Sequence, residues 1–239
     1  MSGAPTRSPP ADLLTSSHTV PEFLTTDDDD SNLCLDDLQQ YVNKTITKIK
    51  PMLQTGPNCG LAALAMVATL IPIKQPISIN NIFHEAELRG FTCKGEMFSV
   101  SNMKILAETF LAPWFCVEEF SDGMEAKKLS IIEKLYAGAL MMVPYDADKN
   151  HSPCCMNGHK AHWAVVCGVM ERSDGQVHVA ARHGKSRYLG VWSLDSLAKS
   201  NANLTELDPS RRKDNCQYIL PSGGVRAGLS NRYILITKK

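Results

Sequence analysis

Gln54, Cys59 and His162 have the residue types and local settings that acyl-transfer chemistry needs. Cys59 stands in "QTGPNCGLAALA" (residues 54–65), where glycine and proline give way to one thiol and then to an apolar run with no charge until Lys74. Thiolate is the nucleophilic form of cysteine. A helix start favours it, because unpaired N–H groups and the helix dipole stabilise negative charge there. The reaction also needs donors for a developing oxyanion. The backbone N–H of Cys59 supplies one, and the side-chain amide of Gln54, five residues upstream, is a candidate for the second. The base has to come from far along the chain and meet the thiol in space. His162 follows the polar stretch "NGHKA" and opens the apolar run "HWAVV", a place where an imidazole is held between a loop and the core.

A third residue is expected to accept a hydrogen bond from the His162 ring and hold its tautomer. His183, near the end of "HVAARHGKS", is the possible orienting residue, because a hairpin would lay it beside His162. Asp146 and Asn157 are loop candidates for the same role, and Asp174 reads as a turn residue.

These side chains need a frame. "CGLAALAMVATLI" is apolar on nearly all sides and reads as a buried helix stopped by Pro72, with Asn58 as its N-cap. "INNIFHEAELRG", "SNMKILAETFLA" and "MEAKKLSIIEKLYAG" read as amphipathic helices, the second opened by Ser101 or Asn102. The second half changes character. "ALMMVPY" is a short apolar run, and "HWAVVCGVM" and "QVHVAAR" are β-type runs joined by the hairpin signal "ERSDG". "YLGVWSL", a helix over "LDSLAKSN" and a closing strand "NRYILITKK" follow. Helices first and mostly antiparallel strands afterwards predict an α+β domain with a central buried helix packed on the sheet. It is expected to span residues 46–239. Residues 1–45, rich in Pro, Ser and Thr and carrying "TTDDDDSN", read as a disordered tail, its aspartates a solvated tract. Within it, "LDDLQQYV" (residues 35–42) has the makings of a short docking helix.

Charge and cysteine usage narrow the setting. Twenty-five Lys and Arg balance 25 Asp and Glu, which argues against nucleic acid or an anionic membrane as partner. The longest apolar stretch, residues 61–73, contains Pro72 and is too short to span a bilayer. No secretory signal is read at the N-terminus. Eight cysteines without an export signal are expected to be free thiols in a reducing cytoplasm.

"QTGPNCGLAALAM" together with "GHKAHWAVVCGV" resembles the actin maturation protease family, itself similar to the bacteriocin-processing, papain-like cysteine peptidases. "PYDADKNHSPC" and "HGKSRYLGVWSL" also resemble stretches of that family, so the likeness covers the whole globular part. The resemblance implies a cytoplasmic cysteine aminopeptidase that removes the N-acetylated first residue, Met or Cys, from newly made actin, with no metal or cofactor. It implies Cys59 as nucleophile, His162 as general base and Gln54 as oxyanion donor. Lys185, Arg187 and the basic run at 211–213 are candidates to face the acidic actin N-terminus, although the run also reads as a solvated turn. Members of the family carry proline-rich segments that bind profilin. Here the tail holds only Pro5, Pro9, Pro10 and Pro21, too little for a polyproline II ligand, so profilin is not an expected partner.

Other readings use the same residues. A deubiquitinase-type endopeptidase shares the site chemistry, and a non-enzymatic actin-binding pseudoprotease would keep the fold alone. His151, Cys154, Cys155, His159 and His162 have types that suit Zn²⁺, but H-x2-C-C-x3-H-x2-H is not a standard finger spacing.

Overall fold

The computed structural model describes residues 39–212 and 217–239, apart from the Arg212 side chain. Seven strands form one sheet: β1 (Tyr41–Ile46), β2 (Phe115–Phe120), β3 (Leu140–Asp146), β4 (Ala161–Arg172), β5 (Val177–His183), β6 (Gly190–Ser193) and β7 (Tyr233–Lys238). Their order is β2-β7-β3-β4-β5-β6, and every pairing is antiparallel. β4 is the spine. β3 pairs with its first half, and β1 takes over along the same edge from Gly168 onward.

The helices are α1 (Cys59–Ala68), α2 (Ile79–Leu88), α3 (Val100–Leu111), α4 (Lys128–Tyr136), α5 (Leu194–Ala202) and α6 (Gly224–Leu229), with a 3-10 turn at Pro209–Arg212. They cover both faces of the sheet. Neighbouring residues of β4 point to opposite sides, so Val165 joins the core of Leu61, Leu64, Met103 and Leu106. Val166 joins the core of Ile131, Leu135, Val143 and Leu197. With both faces covered, β3 and β4 read as apolar runs rather than alternating patterns.

All ten residues of α1 are buried, and the helix lies on β4, β3 and β5. Asn58 occupies its N-cap, but the side chain makes no capping hydrogen bond. A missing cap costs about 1 kcal/mol. Burying each of Leu61, Leu64 and Val67 contributes about 1.5–3 kcal/mol, so packing outweighs the uncapped end. The chemical consequence is that the first N–H groups of α1 stay available at Cys59.

The α+β architecture agrees with the sequence reading, and several local assignments change. The sheet reaches back to Tyr41, inside the segment assigned to the tail. Of the docking helix expected over 35–42, residues 35–38 lie outside the described residues, Gln39 is helical, and Tyr41 and Val42 open β1. The acidic and proline-bearing tail before them is likewise outside. α3 is capped by Ser99, whose hydroxyl accepts the Asn102 N–H, not by Ser101 or Asn102. "FCVEEF", not assigned from sequence, is the edge strand β2.

The β4–β5 register slips between Val166 and Gly168, a bulge that swaps which residues face α1: Cys167 before it, Met170 after it. Gly168 is needed because β1 presses on it. A Cβ there would sit 2.7 Å from the Thr45 carbonyl oxygen and 3.0 Å from Ile46 Cα. Backbone cannot swing aside as a side-chain tip can. Gly168→Ala is therefore expected to destabilise the fold by about 1–3 kcal/mol, read as a lower urea midpoint with an unchanged slope. An unchanged midpoint would mean that β1 does not press on the spine as described.

Candidate active site

The start of α1 meets the start of β4 at one end of the sheet. Gly60 makes the approach possible, since a Cβ on it would stand 2.6 Å from Met103 Cε and 3.1 Å from Trp163 Cδ1. The Trp163 indole is buried against that gap, and its Nε1–H donates to the Met97 carbonyl at 2.9 Å. The tryptophan thus locks strand to helix, and its own backbone N–H favours the Cys59 anion. His162 precedes it. Cys59, His162 and Gln54 line one open cleft of about 500 Å³. The three residues singled out from sequence are brought together, although 103 positions separate the thiol from the imidazole.

Gln54 is held from two sides. Its backbone N–H donates to the Gly184 carbonyl at 2.8 Å, and its Nε2 donates to the Gly56 carbonyl at 2.7 Å. The second hydrogen on Nε2 remains for the cleft. Gly184 admits this side chain: a Cβ there would lie 2.7 Å from Gln54 Oε1.

Burial dominates the electrostatics. It pushes the Cys59 thiol above its ordinary value. The N–H groups of Trp163, Gly60 and Cys59 and the charge of Arg211 pull the other way. His162 is driven down to about 3, first by burial and then by His183, His151 and Lys185, which all disfavour a second positive charge. Both shifts favour the uncharged forms, thiol and imidazole. An imidazolium formed here is a strong acid, which suits protonation of a leaving amine.

His162 faces two other imidazoles. His151 stacks on it at 5.4 Å and 30°, and His183 meets it edge-on at 5.5 Å and 73°. The expected hydrogen bond from His162 to His183 is absent. His183 Nδ1 instead accepts the Lys185 N–H at 3.3 Å, which puts the His183 proton on Nε2, and His162 Nε2 is buried without a partner. His183 holds His162 by packing, backed by Trp192 at 6.0 Å.

His151 escaped the sequence reading except as a zinc candidate. Its backbone is left-handed (φ 61°), and its carbonyl accepts the Tyr145 hydroxyl at 2.8 Å. Tyr145 is in register with His162, so one strand pair positions both rings. No local signal marks that contact in the sequence.

The other orienting candidates do different work. Asp146 is fully buried and exchanges hydrogen bonds with the Ser200 hydroxyl through its backbone. Its Oδ2 accepts the N–H groups of Met156 and Gly158. It anchors the 147–160 loop that carries His151. Asn157 is left-handed, and its carbonyl accepts the N–H groups of Thr205 and Glu206. Asp174 accepts the Gln176 N–H in the hairpin turn, as read from sequence. His151, His159 and His162 all line the cleft, but His159 pairs with Glu206 at 3.2 Å while His151 stacks on His162. Among the described residues no group of three His, Cys, Asp or Glu side chains is arranged to hold a metal ion.

Arg211 is not a solvated turn residue. Its guanidinium lies over Phe98 at 5.7 Å and Tyr218 at 5.3 Å, with Nη1 3.5 Å from Glu96 Oε1, and it lines the cleft on the thiol side. Lys185 lines the cleft as well, whereas Arg187 lines a separate hollow with Lys50, Pro51 and Leu53.

A buried thiol at the start of a central helix, facing an imidazole on an antiparallel sheet, is the arrangement of the papain-like fold. A solved structure described as a C39-like peptidase from Bacillus anthracis shares that fold, at 13% identity and a TM-score of 0.50 over 82% of this chain and 98% of that one. Residues 49–170 match the family model "Actin maturation protease-like, C-terminal domain". The chain is 35% identical to the actin maturation protease of Xenopus tropicalis, over 80% of this chain and 72% of the relative. It is 36% identical to that of Drosophila melanogaster, over 79% and 68%. With the Homo sapiens protein it shares 34%, over 78% and 63%. The chain belongs to the actin maturation protease-like family and is a peptidase.

The depressed imidazoles make stability depend on pH. His162 and His183 fall from 6.5 to about 3 and about 4, so the unfolded chain takes up protons first as the pH drops. Their contribution is complete above about pH 6.5 and is lost progressively toward pH 4 and then 3. The urea midpoint should fall between about pH 7 and pH 4.5, and less steeply in His183→Gln. A pH-independent midpoint across that interval would contradict this burial.

Proposed function

We propose that the chain is a cysteine aminopeptidase that removes the N-acetylated first residue, Met or Cys, from immature actin. The observation that carries this is the Cys59 thiol at the uncapped start of α1, lining one cleft with His162 and Gln54, in a chain whose relatives are named actin maturation protease. Cys59 attacks the carbonyl of the first residue as its proton passes to His162. The Cys59 N–H and Gln54 Nε2 carry the oxyanion. The tetrahedral adduct collapses, His162 gives its proton to the leaving nitrogen of residue two, and an acyl thioester remains. Water then loses a proton to His162, attacks the thioester and releases the acetylated amino acid and the thiol.

The thiol-side wall suits such a first residue. Met97 and Phe98 offer apolar surface, and Arg211 occupies Glu96, so no unpaired carboxylate there invites a free α-ammonium. A cytoplasmic setting fits the six described cysteines, all of them free.

The test uses purified protein with an acetyl-Met-capped acidic actin peptide and with immature actin, followed by mass spectrometry. Loss of the first residue is expected, and Cys59→Ala should abolish it. Gln54→Ala should slow it about 10²–10³-fold. Full activity in Cys59→Ala would refute the nucleophile, and a change of only about twofold in Gln54→Ala would take the amide out of the oxyanion site.

A further inference from the structure

The charge lining the cleft is unbalanced once its partners are counted. Three carboxylates line it, and each is already engaged. Glu96 faces Arg211. Asp148 Oδ1 accepts the N–H groups of Asn150 at 2.7 Å and Ser152 at 2.8 Å, and Asp208 Oδ1 accepts that of Ser210 at 2.8 Å. Three lysines also line it, Lys149, Lys160 and Lys185, all exposed. None of them has a carboxylate within 4.0 Å among the described residues.

The two kinds of cation have different neighbours. Arg211 is the cation whose charge reaches Cys59, while Lys185 reaches His162, and Lys185 and Lys160 both reach His151. Lys149 is on the same loop as His151. If His162 protonates the leaving nitrogen, the chain that follows the cut bond must run out past His162 and His151. That path leads to the lysines.

We propose that Lys149, Lys160 and Lys185 form a recognition surface for an acidic peptide segment lying immediately after the cleaved bond. The inference rests on the roles assigned above to Cys59 and His162 for its direction. A cleft walled partly by low-dielectric side chains focuses the field of three unpaired ammonium groups, so adjacent carboxylates on a peptide gain from all three at once. Arg187, in its separate hollow, takes no part.

The experiment reads binding, so that it does not depend on turnover. The full chain carrying Cys59→Ala is titrated with two fluorescein-labelled acetyl-Met peptides, one with Asp and Glu after the methionine and one with Asn and Gln in their place. The acidic peptide should bind at least about tenfold more tightly, and added salt should weaken it alone. The preference should collapse to within about twofold in K149Q/K160Q/K185Q and persist in Arg187→Gln. Equal binding of the two peptides, or a preference that survives the triple substitution, would overturn the proposal. Lysine-dependent binding of an acidic peptide that the Cys59-bearing protein never cuts would support this surface while removing the aminopeptidase reading.

Discussion

Everything at the site depends on how closely the start of α1 approaches the start of β4. Two residues set that distance from opposite sides. Gly60 has no side chain to hold the strand off, and Trp163 fills the gap and ties itself to the Met97 carbonyl. Helix packing on the apolar face of β4 supplies the force that keeps them together. From that contact follow the N–H of Trp163 at the sulfur, the position of His162 and the open side of the cleft. A larger residue at position 60 would be felt first at the reacting atoms.

Burial then sets the chemistry. With no carboxylate behind it among the described residues, His162 is surrounded by His183, His151 and Lys185, and its imidazolium is disfavoured. The thiol is disfavoured as an anion for the same reason, although the helix end and Arg211 offset part of that cost. In the proposed reaction charge appears as the carbonyl is attacked, and this is when fixed dipoles stabilise most.

The parts of this design that were legible in the sequence are those carried by local chemistry. The apolar run after Cys59 announced a buried helix, and "HWAVV" announced a strand opened by a histidine. Gln54 stood out as an amide five residues before a helix-start cysteine, and it lines the same cleft. The rest depends on contacts that no window of residues contains. β1 was hidden because "YVNKTI" is polar on one side and follows an acidic tail. The ring cluster depends on the β3–β4 register and on the left-handed backbone at His151. Arg211 looked like a turn residue because Phe98 and Tyr218, which hold it, are remote in sequence. The hydrogen bond expected from His162 to His183 failed for a local reason, since the Lys185 N–H had already claimed the acceptor nitrogen.

The central claim is that the Cys59 sulfur itself takes the acyl group. Rapid acid quenching of the protein during turnover of an acetyl-Met peptide, followed by intact-mass and peptide mapping, tests it most directly. The account predicts an added acetyl-methionyl group, labile to hydroxylamine and located on Cys59. Turnover with no such adduct on Cys59, or with the adduct on another residue, would contradict it.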